Sequence, residues 1–125
     1  MTIAARPGLD RAAAEQLVSA YLDRHGATDL EGVVTLFADD AWLEDPVGSP
    51  RRQGREAIRA FYRATHARNG RLDFQRIGGV LVGGGELVFH VRARLSRDPG
   101  AEGMDVIYAV QVDDAGRICA LRAWF

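Results

Sequence analysis

The chain has 125 residues, 47% of them hydrophobic and 26% charged, a length and balance that suit one globular domain with a sizeable core. The formal net charge is −1, which gives no electrostatic reason to expect nucleic acid or an anionic membrane as partner. All 16 basic residues are arginines, so lysine Schiff-base chemistry and a phosphate-loop lysine are excluded, and the single cysteine, Cys119, leaves neither a disulfide framework nor a cysteine metal cluster.

Residues Met1 to Gly8 read as a frayed N-terminus. Asp10 is a credible N-cap for a first helix. Ala13, Leu17 and Tyr21, with Ala14, Val18 and Leu22 beside them, recur four residues apart and form one apolar face on which Tyr21 lies. Gly26 is expected just past the end of this helix. Thr28 and Glu31 have the spacing of a capping box, and Leu30, Val33, Val34 and Phe37 form the buried side of a short second helix. Asp39-Asp40 reads as a turn, Ala41 to Asp45 as a strand and Pro46 to Pro50 as a loop. Pro46 restricts the backbone of Asp45 to extended conformations, which aims its carboxylate. A third helix is predicted from Arg55 to about Ala67, with Ile58, Phe61, Tyr62 and Thr65 inward.

After Asn69-Gly70 the period changes to two. Leu72, Phe74 and the region 80–82 are strand material broken by Gly78-Gly79 and by Gly83-Gly84-Gly85. Glu86 to Ser96 alternates: Leu87, Phe89, Val91, Ala93 and Leu95 share one face, and His90, Arg92 and Arg94 the other. Asp98-Pro99-Gly100 is a turn, Met104 to Val112 a strand, Asp114-Ala115-Gly116 a hairpin turn, and Arg117 to Phe125 the last strand. Three helices followed by long strands, one face of which needs covering, predict an α+β domain over residues 1–125. The expected form is a curved, mainly antiparallel sheet wrapped on the helices as a cone with an apolar cavity.

A carboxylate at the lip of such a cavity, faced by a phenol from a packed helix, is an acid/base pair. The aspartate takes a proton and the phenol donates a hydrogen bond to an oxygen that gains charge. The plainer readings are that Asp45 caps its own loop and that Tyr21 is a core tyrosine with a satisfied hydroxyl. His25, one turn beyond Tyr21, is either a second polar group of the cavity or a partly exposed helix-end histidine serving the C-terminal dipole. His66 and His90 look structural, and three scattered histidines give no metal site.

The strings Phe37-Ala38-Asp39-Asp40-Ala41, Glu44-Asp45-Pro46, Gly54-Arg55-Glu56-Ala57-Ile58 and Ala60-Phe61-Tyr62, with Tyr21 on the first helix, resemble the ketosteroid isomerase family within the nuclear-transport-factor-2-like fold. The resemblance runs from about Leu17 to Phe125. It implies a cofactor-independent steroid isomerase in which Asp45 is the general base and Tyr21 holds the dienolate oxygen. The family's second oxyanion donor, a protonated aspartic acid, falls on Tyr108. Asp105 has the wrong strand parity to replace it. Phe61, Tyr62, Leu87, Phe89, Val106, Leu121, Phe125 and His25 are the candidates for substrate binding. The implied partners are a small apolar or steroid-like ligand and a second copy of the chain as a homodimer, in the cytoplasm, with no nucleic acid, membrane or metal. The alternatives are a non-catalytic binder of apolar ligands, a polyketide cyclase-like enzyme, or an epoxide hydrolase-like enzyme. The last would require Arg92 or Arg94 to turn inward beside Asp45.

Overall fold

A computed structural model describes residues 9–125. The elements in order are α1 (Arg11–Gly26), α2 (Leu30–Val34), β1 (Phe37–Glu44), β2 (Arg52–Gln53), α3 (Arg55–Asn69), β3 (Leu72–Gly83), β4 (Glu86–Leu95), β5 (Met104–Val112) and β6 (Ile118–Trp124). The expected frayed segment Met1 to Gly8 lies outside the described residues. Among the described residues no helix is long and apolar enough to cross a membrane.

Asp10 caps α1 as expected, its carboxylate accepting from the Ala13 backbone N–H at 2.7 Å. Ala14, Val18, Tyr21, Leu22 and His25 form the buried stripe of that helix. The second cap differs from the expectation. Asp29, rather than Thr28, accepts from the N–H of Gly32, while the Thr28 hydroxyl turns back to the Ala27 carbonyl. Thr28 itself adopts a φ of 59°, which removes it from the extended geometry of an N-cap. Phe37 is fully buried but opens β1 instead of closing the second helix.

The six strands form one mixed sheet in the order β2-β1-β6-β5-β4-β3. All neighbours are antiparallel except β1 and β6, which run parallel. The expected cone is not found. The sheet is neither closed nor strongly curled, because its ladder runs linearly from the two-residue strand β2 to the long strand β3 and those two edges do not pair. The expected break at Gly78-Gly79 is an irregularity between Ile77 and Leu81 inside one continuous strand.

The covered face carries Leu87, Phe89 and Val91 from β4 and Val106, Tyr108 and Val110 from β5, packed against Val18, Tyr21, Ile58 and Tyr62 from the helices. Burying this many large side chains, each worth about 1.5–3 kcal/mol, holds α1 and α3 on the sheet. Gly26 sets one detail of that packing. A Cβ there would stand 2.6 Å from the Leu72 carbonyl oxygen, so only glycine lets the start of β3 press on the last turn of α1. Phe74 is thereby brought beside His25, with ring centroids 5.5 Å apart.

Candidate active site

Asp45 follows the last residue of β1 at the edge of a cavity of about 760 Å³, whose wall includes Pro46, Phe61, Phe74, Val106 and Tyr108. That volume falls in the range of small-molecule sites. The loop after Asp45 is held without the Asp45 side chain. The Val47 N–H donates to the Ala123 carbonyl at 2.7 Å, and the Ser49 N–H and hydroxyl both donate to the Pro46 carbonyl. A role for Asp45 in capping its own loop is therefore unnecessary. The Asp45–Pro46 peptide is cis. Burial pushes the Asp45 carboxyl up from 3.8 to about 6, with no neighbouring cation to offset it among the described residues. A carboxylate so placed is a stronger base than one in water and still ionised at neutral pH.

Three phenols adjoin it. The Tyr21 and Tyr62 hydroxyls are 2.7 Å apart, and the Tyr21 ring meets the Tyr108 ring edge-on with centroids 5.4 Å apart. Tyr108 also stacks on Phe89 at 4.9 Å. Burial, and to a lesser degree the Asp45 charge, raise the Tyr108 phenol, while the Tyr21 hydroxyl opposes that shift. Burial likewise holds Tyr21 and Tyr62 well above the ordinary phenol range. All three stay neutral at physiological pH and are available as hydrogen-bond donors.

Of these phenols only Tyr108 forms part of the cavity wall. Tyr21 stands directly behind it and is joined on its far side to Tyr62. Among the other substrate-binding candidates, Phe61, Val106, Phe125 and His25 line the cavity, and Leu87, Phe89 and Leu121 do not. The sheet register explains the division for Leu87 and Leu121. Leu87, Val110 and Leu121 form one cross-strand row, and Phe89, Tyr108 and Ala123 form the next. The cavity extends from Tyr108 in the second row towards Val106 and Ala93, so the first row lies in the solid core, while Phe89 is kept out of the wall by its stacking on Tyr108.

His25 is buried, unlike the partly exposed helix-end residue that was one of its two readings. Asp105 stands on the outer face, as its parity requires, where it pairs with His90 at 2.9 Å and Arg92 at 3.2 Å. Arg94 departs from expectation. The connection after β4 folds over the strand end, so Ala93, Arg94 and Leu95 all border the cavity mouth despite their alternating parity. The Arg94 guanidinium donates to the Pro99 carbonyl there at 3.1 Å. The sequence reading also missed Thr65, Leu72 and Phe74 as lining residues. Their signal was present as the inward position of Thr65 and the alternation of Leu72 with Phe74. Among the described residues no cluster of three or more His, Cys, Asp or Glu side chains could hold a metal ion.

A family model for the SnoaL-like domain matches residues 18–121, from the middle of α1 into β6. The chain belongs to the SnoaL-like family. This SnoaL-like chain is also similar to a steroid Delta-isomerase of Nocardioides simplex, with 29% identity over 108 residues that cover 86% of this chain and 85% of the relative. The matched stretch contains every candidate site residue except Phe125.

Proposed function

We propose that this chain is a cofactor-independent isomerase that converts a β,γ-unsaturated ketone, on a steroid-like skeleton, to its conjugated enone. Asp45 removes a proton from the carbon between the carbonyl and the double bond. The electron pair moves into a dienolate, and Asp45 returns the proton to the γ carbon. Tyr108, backed by Tyr21, donates to the oxygen on which the charge develops. The single observation that carries this reading is the buried Asp45 carboxyl, raised to about 6, in the same cavity wall as the neutral Tyr108 phenol. Proton abstraction next to a carbonyl needs a base poised close to the carbon and donors already in place where the charge appears. The similarity to a steroid Delta-isomerase supports the same choice of substrate class.

Epoxide opening is disfavoured, because Asp45 has no guanidinium partner among the described residues and Arg94 is engaged at the mouth. The test is to mix the protein with a β,γ-unsaturated 3-ketosteroid and follow the absorbance of the conjugated enone. Saturable acceleration over buffer is expected, reduced at least about a hundredfold by Asp45→Asn. A rate no greater than that in buffer, or full activity in the Asn variant, refutes the proposal.

A further inference from the structure

Among the polar groups of the cavity wall that the proton transfer leaves unused, His25 is the most deeply buried. His25 forms part of the wall, is only 5% exposed, and is enclosed by the rings of Tyr21, Tyr62 and Phe74 at centroid distances of 5.2–5.6 Å. Its Nδ1 lies 3.1 Å from Nε2 of His66 on α3, and the two imidazoles stack at 5.2 Å with an interplanar angle of 28°. Nδ1 is thus committed to the neighbouring histidine, and Nε2 is the ring atom left for a ligand.

The direction of that His–His bond follows from the far side of His66. Its Nδ1 is enclosed and has no hydrogen-bond partner. A buried N–H without an acceptor is the rarer and costlier orphan, so the unpartnered nitrogen is assigned as the bare one. His66 then carries its proton on Nε2 and donates to Nδ1 of His25. By that assignment His25 carries its proton on Nε2, the ring nitrogen without a protein partner among the described residues. Burial, reinforced by His66, lowers the His25 pKa to about 4, so the ring acts as a neutral donor.

We propose that His25 is a specificity residue that donates from Nε2 to an acceptor oxygen on the ligand, with His66 as the positioning residue that sets its tautomer. The inference rests on the reading of this cavity as the ligand site, but it does not depend on the reaction. It also narrows the substrate class. His25 is separated from Tyr108 only by Tyr21, through ring contacts of 5.6 and 5.4 Å. The preferred ligand therefore carries a second oxygen close to the one that Tyr108 holds, on the same ring or the next one, in addition to any group at the far end of its skeleton.

The test uses calorimetric titration of 2-naphthol and its 6- and 7-methoxy derivatives, ring compounds in which the added oxygen can only accept. At least one methoxy compound is expected to bind roughly two- to tenfold tighter than 2-naphthol, the effect of one net hydrogen bond. His25→Leu should abolish that advantage, and His25→Gln, which retains a donor, should restore part of it. Nitrogen-15 spectra of the imidazoles should place the His25 proton on Nε2 in the wild type. A methoxy advantage unaffected by His25→Leu, the absence of any advantage, or a proton on Nδ1 of His25 overturns the inference. Isomerase inactivity with these binding results intact would refute the proposed reaction and leave the role of His25 standing.

Discussion

Replacing Asp45 by asparagine is expected to stabilise the fold at alkaline pH while it removes proton transfer. Burial raises the Asp45 carboxyl from 3.8 to about 6, so the folded protein holds this proton more tightly than the unfolded chain. Below pH 3.8 both states are protonated and the group is neutral to folding. Between pH 3.8 and 6 the unfolded chain ionises first, and stability falls as pH rises. Above pH 6 both are ionised and the full penalty persists. At about 1.4 kcal/mol for each tenfold change in proton affinity, that penalty is about 3 kcal/mol. Asparagine retains the shape and polarity of the side chain without the charge, so it recovers most of this at pH 8 and almost none at pH 4. With an ordinary urea dependence of about 1–3 kcal/mol per molar, the urea midpoint of Asp45→Asn should exceed that of the wild type by about 1–3 M at pH 8. The two midpoints should nearly coincide at pH 4. A gain of equal size at both pH values, or none at pH 8, would show that Asp45 is not desolvated in the folded protein and would remove the basis for its role as a poised base.

The same titration predicts the rate profile: kcat/KM should fall as pH drops through about 6, following loss of the Asp45 base form, and a limb near 4 in the pH profile of kcat/KM would contradict it. Tyr108→Phe deletes the one phenol in the cavity wall and should lower kcat roughly a hundred- to a thousandfold, whereas a change below about fivefold in steady-state kinetics would assign the donor role elsewhere. Tyr62→Phe breaks the 2.7 Å bond to Tyr21 and should cost about 1 kcal/mol in chemical denaturation, with a smaller effect on kcat than Tyr108→Phe. Leu43→Ala, at a fully buried strand position, should cost about 2–5 kcal/mol by the same measurement.

Much of this molecule is legible locally. The i, i+4 pattern places Tyr21 on the buried face of α1, Asp10 caps that helix, and the strict alternation of β4 separates Leu87, Phe89 and Val91 from His90 and Arg92. Met104 to Val112 is read with its observed ends, and the parity that sets Asp105 outside and Tyr108 inside holds in the register. Each of these depends on a period of two or 3.6 residues or on a cap within one turn, and such interactions are encoded by neighbours in the chain. Where the reading fails, a non-local partner decides. Phe37 joins a strand because β6 is there to pair with it, and Arg94 reaches the cavity mouth because the following connection folds back over the strand end.

Local pattern is enough to specify the helical stripe carrying Tyr21, the strand end carrying Asp45 and the inward face carrying Tyr108. How they combine depends on long-range packing. Strand pairing set the open linear sheet in place of a cone, because closure depends on whether the two edge strands meet. Sheet register put Tyr108 in the cavity wall and Leu87 and Leu121 in the solid core. The crossing of α1 and α3 brought His25 and His66 together over 41 residues of chain and placed Tyr21 behind Tyr108. Periodicity says which face of an element is buried; what that face meets depends on contacts between segments far apart in sequence, and the chemistry of the cavity arises from those contacts.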